Sequence, residues 1–150
     1  MISEGTRFPD FSLADQNGDV VTLDSLGGQP VVIYFYPKDD TSGCTMEACE
    51  FRDEAPNIPD IRIVGVSPDN TKSHKKFEAK YGLNFTLLAD ADHKLAEACG
   101  LWVEKMLYGR KYMGVERTTF LLDGSGIVKK VWRKVKPEGH AKEVLASAGS

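Results

Sequence analysis

The first half of the chain contains two short runs of β-branched and aromatic residues. Residues 31–36 are apolar throughout, a pattern that predicts a buried strand. Residues 61–66 are also rich in β-branched side chains, and we expect them to form a parallel neighbour of the first strand. Between the two runs, the residue types from Cys44 onward favour a helix. The first half is therefore predicted to alternate strand, helix and strand.

The rest of the chain predicts further short elements. Strands are predicted at residues 20–23, 85–88, 117–122 and 127–132, and helices at residues 71–81, 92–99 and 139–148. The pair Asn17-Gly18 is typical of a tight turn and predicts an N-terminal β-hairpin, since both residues tolerate positive φ. Residues 101–114 are predicted to be irregular. The order of elements indicates an α/β fold with a central mixed β-sheet flanked by helices.

Length, charge and cysteine content restrict the class of protein. A chain of 150 residues is expected to form a single domain over residues 1–150. The net charge of −3 is mild and argues against nucleic acid as a partner. No apolar run approaches the roughly 20 residues that span a bilayer, so no membrane association is expected. Three cysteines and an N-terminus without a signal region indicate the reducing cytoplasm.

The stretch after the first buried strand contains the candidate chemistry. Pro37 ends that strand, residues 39–43 form a polar turn, and Cys44 falls in the first turn of the predicted helix. Unpaired N–H groups and the positive end of the helix dipole favour thiolate over thiol there. Thiolate is the nucleophile, so we interpret Cys44 as a reactive cysteine. The alternative is that Cys44 is a small hydrophobic side chain in the core.

A second cysteine, Cys49, follows five residues later on the same predicted helix. In an intact helix this spacing separates the two Cα atoms by roughly 8–9 Å. A disulfide requires Cα atoms within about 7 Å, so Cys44 and Cys49 can bond only if the first turns of the helix unwind. The spacing fits a zinc site poorly, because no second cysteine pair or histidine follows at ligand spacing. Cys99 is the competing partner, and we expect it to be a buried free thiol.

Four stretches of the chain resemble the peroxiredoxins, and within them the bacterioferritin-comigratory-protein or Q-type subfamily. The first is the motif Pro37-x-x-x-Thr41-x-x-Cys44, and the second is Cys49 five residues beyond it. The others are residues 108–120 around an arginine, Arg117, and the tail at residues 135–140. They cover the chain nearly from end to end, and the resemblance implies a thioredoxin-like fold. The chain departs from the subfamily at position 42, where serine stands in place of the usual proline.

The resemblance implies a role for each motif residue. Cys44 attacks the distal oxygen of a hydroperoxide and becomes a sulfenic acid, while Arg117 supplies a cation for the thiolate and the peroxide. The hydroxyl of Thr41 holds thiolate and peroxide, and the backbone N–H groups of Gly43 and Cys44 hold the other oxygen. Pro37 shields the thiolate from water. Without the resemblance, the sequence is equally consistent with Thr41 as a helix N-cap, and it favours a surface position for Arg117.

The resemblance also implies how the enzyme is recycled. We expect Cys49 to attack the oxidised Cys44 after local unwinding, and thioredoxin or a similar dithiol protein to reduce the disulfide. The protein is then a monomeric peroxidase for hydrogen peroxide and organic hydroperoxides that needs no metal, haem, flavin or other cofactor. Glu47, one helical turn after Cys44, is a candidate for orienting Arg117. Two alternatives are a thiol–disulfide oxidoreductase, which lacks its usual Cys-x-x-Cys here, and a peroxide-sensing redox switch.

Two further groups of side chains are not assigned a chemical role. The three histidines lie in polar helical or turn contexts and are predicted to be surface residues: His74, His93 and His140. The aromatic residues Trp102, Tyr108 and Tyr112 either line the approach to the substrate site or belong to the core, and for Trp102 we favour core or shielding.

Overall fold

The computed structural model describes residues 2–148, which are built around a five-stranded sheet. The strands are β1 (Ser12–Ala14), β2 (Val20–Thr22), β3 (Val31–Phe35), β4 (Arg62–Ser67), β5 (Thr86–Ala89), β6 (Trp102–Leu107), β7 (Arg110–Val115), β8 (Thr118–Leu122) and β9 (Val128–Trp132). The helices are α1 (Ser42–Glu54), α2 (Thr71–Tyr81), α3 (Lys94–Ala98) and α4 (His140–Ala148), with single 3-10 turns at Asp24–Leu26 and Ala55–Asn57.

The central sheet has the strand order β5-β4-β3-β8-β9. β3 pairs in parallel with β4, and β4 with β5, whereas β8 runs antiparallel to both β3 and β9. The predicted mixed sheet and the parallel neighbour of the first strand are therefore confirmed. β3 is the middle strand, so the loop that leaves its carboxyl end starts from the centre of the sheet.

β3 is apolar throughout because both faces of the sheet are covered. On one face, Val32 and Tyr34 pack with side chains of α1, α2 and α4, and the ring of Tyr34 stacks on that of Phe51 at 4.7 Å. On the other face, Ile33 and Phe35 belong to a second core cluster that includes residues of α3 and of the N-terminal segment. The strand and the helix that follows it are thus fixed by packing from both sides.

Several predicted elements are confirmed with small shifts of their ends. β1 and β2 form the expected antiparallel hairpin, with Gly18 at a φ of 83° in its turn. α2 has the predicted bounds and ends at Gly82, which adopts a left-handed conformation. α3 is shorter than predicted, and the carboxylate of Asp90 accepts hydrogen bonds from the N–H groups of Leu95 and Ala96 at its start. Within residues 2–148, no helix has the length and apolar character needed to cross a bilayer.

The prediction that residues 101–114 are irregular is wrong. β6 and β7 form an antiparallel hairpin whose two-residue turn, Tyr108-Gly109, has both residues at positive φ. The hairpin is a two-stranded sheet apart from the central one, and much of it is exposed. Without one buried face, its sequence lacks the apolar alternation from which strands are predicted.

Candidate active site

Cys44 lies at the junction between the middle strand and the first long helix. The chain leaves β3, passes through a loop that contains Pro37, and enters α1 at Ser42, so that Cys44 is the third residue of the helix. The first intrahelical hydrogen bond of α1 is donated by Thr45 N to Thr41 O at 2.8 Å. The N–H groups of Gly43 and Cys44 precede that bond and point toward the start of the helix. The Cys44 side chain is buried, with 1% of the residue exposed.

Arg117, 73 residues away in sequence, contacts the Cys44 sulfur. It directly precedes β8, the antiparallel neighbour of β3, so that sheet pairing brings it beside the start of α1. Its Nη2 lies 3.1 Å from Cys44 Sγ, and its side chain is 15% exposed. Val135 N donates to Arg117 O at 2.9 Å and holds the backbone at this position. A permanent cation therefore lies within hydrogen-bond distance of the sulfur.

Glu47 completes a chain of contacts with these two residues. Its Oε1 accepts a hydrogen bond from Arg117 Nη1 at 2.7 Å, and its side chain is fully buried. Its Oε2 has no hydrogen-bond partner within residues 2–148. Burial raises the pKa of Glu47 to about 7, although the charge of Arg117 opposes the shift. Burial alone would lower the pKa of Arg117, but the charges of Glu47 and Cys44 outweigh it and raise that pKa.

Thr41 and Pro37 lie on the open side of the site. Thr41 occupies the N-cap position of α1, but its side chain makes no capping hydrogen bond; its Oγ1 donates to Lys38 O at 3.0 Å. Both residues line a groove of about 510 Å³, whose other wall is the β6–β7 hairpin with Trp102 and Tyr112. The groove therefore leads from solvent to the loop that precedes Cys44.

The second cysteine, Cys49, is half-buried on the same unbroken helix as Cys44. Because Cys49 lies five positions after Cys44 on this helix, the two Cα atoms are about 8–9 Å apart, which is beyond disulfide reach. Cys99 is fully buried, as predicted, and burial together with the charge of Asp90 raises its pKa to about 12. All three cysteines are free.

Comparison with known proteins places this geometry in a family. The model of the AhpC/TSA family matches residues 5–131. The chain belongs to the AhpC/TSA family. Among curated proteins, the putative peroxiredoxin bcp of Coxiella burnetii is 47% identical over 146 residues, covering 96% of this chain and 97% of that protein. The peroxiredoxin Bcp of Bacillus subtilis is also 47% identical over 146 residues, covering 96% and 93%.

Solved structures lead to the same subfamily. A mutant of Xylella fastidiosa PrxQ superposes with a TM-score of 0.92 at 35% identity, covering 98% of this chain and 95% of that one. The bacterioferritin comigratory protein of Xanthomonas campestris, solved in connection with its alkyl peroxide reduction activity, gives a TM-score of 0.86 at 44% identity, covering 92% and 89%. The resemblance to Bcp and Q-type peroxiredoxins and the thioredoxin-like fold are thus confirmed. The activity of such a protein is that of a peroxidase.

The loop before Cys44 in this peroxiredoxin is held by a buried polar network that sequence reasoning missed. Asp39 is 8% exposed and accepts hydrogen bonds from Tyr36 Oη at 2.6 Å and from Ser73 Oγ at 2.8 Å. His74 Nδ1 lies 2.7 Å from Asp39 Oδ2, and His74 Nε2 lies 2.9 Å from Leu88 O. Because His74 and Ser73 belong to α2, this network joins the active-site loop to a second helix.

The prediction that the histidines are surface residues is wrong for His74 and His140. His74 is fully buried, and it lies three residues before Phe77 on the apolar face of α2, a spacing from which its burial was predictable. His140 is 5% exposed, and burial together with the charge of Arg117 lowers its pKa to about 4. His93 is partly exposed and stacks on Trp102 at 3.9 Å.

The predicted aromatic residues have three different environments. Trp102 packs against the core and lines the groove, in agreement with a shielding role. Tyr112 lines the groove and is 44% exposed. Tyr108 is 97% exposed at the tip of the hairpin, so it belongs to neither the core nor the groove. Only two of the three aromatic side chains are thus near the approach to Cys44.

Proposed function

We propose that this peroxiredoxin reduces hydrogen peroxide and organic hydroperoxides with Cys44 as the attacking thiolate. The contact between Arg117 Nη2 and the buried Cys44 sulfur at 3.1 Å carries this proposal. It supplies a positive charge at a helix start, where two N–H groups are already available to an incoming oxygen. A cysteine that served only to fill the core would not need a buried arginine beside it.

In the first step, the Cys44 thiolate attacks the distal oxygen of the hydroperoxide. The S–O bond forms as the O–O bond breaks, the sulfur is oxidised by two electrons, and the leaving oxygen takes a proton to become water or an alcohol. The Arg117 guanidinium donates to the oxygens as charge moves between them. The Thr41 hydroxyl and the N–H groups of Gly43 and Cys44 hold the peroxide, and Pro37 limits access of water to the sulfur.

The groove beside Thr41 supports organic hydroperoxides as substrates. Its lining includes the apolar side chains of Trp102, Leu107 and Val115, which can accommodate an alkyl group while the peroxide end reaches Cys44. The Xanthomonas campestris relative, which is associated with alkyl peroxide reduction, supports the same assignment.

In the second step, Cys49 resolves the sulfenic acid. Its thiolate attacks the Cys44 sulfur, the S–S bond forms, the S–O bond breaks, and the hydroxide that leaves is protonated to water. Thioredoxin or a similar dithiol protein then reduces the disulfide by exchange, supplying two electrons. This cycle needs no metal or organic cofactor. We further propose that the protein acts as a monomer in the cytoplasm, where dithiol reductants are maintained.

The experiment that tests the assignment compares two serine variants. Cys44→Ser is expected to abolish peroxide consumption in the presence of thioredoxin and its reductase, because serine does not provide a thiolate. Cys99→Ser, the matched control, is expected to retain it. Undiminished turnover by Cys44→Ser would contradict the proposal.

A further inference from the structure

The first half of α1 lacks an N-terminal cap and is bound by side-chain contacts to Arg117 through Cys44 and Glu47. Thr41 makes no side-chain cap at its start, and the residues that follow, Ser42, Gly43 and Thr45, are poor helix formers. Glu47 is fully buried and its Oε2 has no hydrogen-bond partner within the described part of the chain. A buried carboxylate that is only half satisfied is costly, so it reduces the stability of this part of the helix.

The second half of α1 is tied to three other parts of the fold. The Glu50 carboxylate accepts a hydrogen bond from Gly139 N at 2.8 Å, immediately before α4. Arg52 Nη1 donates to Tyr81 O at 2.6 Å at the end of α2, and Asn84 Nδ2 donates to Arg52 O at 3.1 Å. These bonds begin one residue after Cys49, so the contacts of the helix change at that cysteine from those with Arg117, which include the reacting sulfur, to those of Glu50 and Arg52, which do not.

We propose that Glu50 and Arg52 are positioning residues that keep Cys49 in place while the first half of α1 unwinds and brings Cys44 to it. The proposal rests on the resolution step given above and adds which residues hold Cys49 during it. It also sets the boundary of the unwound segment between Ala48 and Cys49. The sulfur that moves is then the oxidised one, and the attacking thiolate remains on the anchored helix.

The segment from Cys44 to Cys49 is long enough for this movement. Residues 44–49 are joined by five peptide units, which span up to about 17 Å when extended, so an unwound segment can bring the two Cα atoms within disulfide distance. The bond changes are those of the resolution step, with hydroxide leaving the Cys44 sulfur. The Glu50 and Arg52 contacts remain intact throughout, because none of the residues that unwind takes part in them.

Hydrogen exchange measured by mass spectrometry tests the boundary. In the disulfide form of the wild-type protein, the amides of residues 45–52, whose acceptors are the carbonyl groups of residues 41–48, are expected to lose protection. The amides of residues 53–55 are expected to exchange as slowly as in the reduced protein. In reduced Glu50→Ala, exchange at residues 51–54 is expected to be about tenfold faster, the size expected for loss of a hydrogen bond to a charged group. Glu50→Gln, which retains an acceptor for Gly139 N, is expected to restore much of the protection.

A chemical readout separates positioning from general stability. When Glu50→Ala is treated with excess peroxide, a larger fraction of Cys44 is expected to reach the sulfinic acid, because Cys49 attacks the sulfenic acid more slowly. The control is Glu54→Ala, the same change on the same helix at a carboxylate with no hydrogen-bond or salt-bridge partner within residues 2–148; it is expected to match the wild type.

Three results would overturn the proposal. Loss of protection at residues 53–55 in the wild-type disulfide form would show that the second half is not an anchor. Equal partition of Cys44 between disulfide and sulfinic acid in Glu50→Ala and Glu54→Ala would show that Glu50 does not position Cys49. Failure of the wild-type protein to form a Cys44–Cys49 bond would contradict the resolution step itself, and this result is distinct from the other two.

Discussion

Arg117 and Glu47 form a salt bridge of 2.7 Å in which the carboxylate side chain is fully buried. The same guanidinium uses its other terminal nitrogen to contact Cys44 Sγ at 3.1 Å. The carboxylate therefore fixes the plane of the guanidinium, and the guanidinium presents its second N–H to the sulfur. Because Glu47 and Cys44 lie one turn apart on α1, unwinding of this turn separates both from Arg117.

The first prediction concerns the pH dependence of stability. The pKa of Glu47 is raised from 4.5 to about 7 in the folded protein, so the folded state binds this proton more tightly than the unfolded state does. Its contribution to stability is complete below pH 4.5 and is lost as the pH rises through 7. Glu47→Gln removes this titration, so the free energy of unfolding of the variant relative to wild type should rise across that range, by about 3 kcal/mol at most.

Urea unfolding at several pH values between 4.5 and 8 measures this difference. Glu143→Gln serves as the control, because it removes an exposed carboxylate and is expected to follow the wild-type curve. Parallel curves for Glu47→Gln and wild type would show that Glu47 does not titrate in this range.

The second prediction concerns Arg117. Arg117→Met should slow the oxidation of Cys44 by roughly 10²–10³-fold, the effect of removing one donor that stabilises developing negative charge. Arg117→Lys keeps a charge but cannot contact Glu47 and the sulfur with two fixed nitrogens, so its rate should lie between those of methionine and wild type. Stopped-flow measurement of thiol oxidation gives the second-order rate constants. A rate for Arg117→Met within a few-fold of wild type would contradict the assignment.

The third prediction separates the two cysteines. Cys49→Ser should oxidise at the wild-type rate in a single turnover, since Cys49 does not touch the peroxide in the proposed mechanism. Without a resolving thiol, its Cys44 should pass from sulfenic to sulfinic acid when peroxide is in excess. Mass spectrometry of the intact protein follows both products. Accumulation of an intramolecular disulfide in Cys49→Ser would identify Cys99 as the resolving residue.

The fourth prediction concerns the network under the active-site loop. Asp39 and His74 are nearly or fully buried and in contact at 2.7 Å, so removal of either leaves a buried polar partner without its bond. Asp39→Ala and His74→Ala should each lower the free energy of unfolding by about 3–5 kcal/mol. The double variant should lose clearly less free energy of unfolding than the sum of the losses in the two single variants. Urea unfolding of all four proteins completes the cycle, and strict additivity would show that the two side chains do not interact.

The sequence predicted the parts of the fold that follow from local chemistry. The apolar run of β3, the end of the strand before Pro37, and the position of Cys44 in the first turn of α1 all depend on residues close together in the chain. The placement of Arg117 beside Cys44 does not, since it results from the pairing of β8 with β3. In the sequence, only the family resemblance indicates this arginine.

The missed features have physical reasons. The β6–β7 hairpin lacks one buried face, so the alternation that normally marks strands is absent, and its signal is confined to the Tyr108-Gly109 turn. His74 was misplaced because its polar neighbours outweighed its helical spacing from Phe77. Its partner Asp39 lies 35 residues away, and such a contact forms only when α2 packs beside the loop.

The most direct test of the mechanism is to map the cysteines after one equivalent of peroxide. The reduced protein is treated with hydrogen peroxide, quenched with an alkylating agent, and analysed by intact mass and peptide mapping. We predict a Cys44–Cys49 disulfide, with Cys99 remaining a thiol and therefore alkylated if the protein is unfolded during the quench. Three alkylated cysteines with the peroxide unspent would contradict the account.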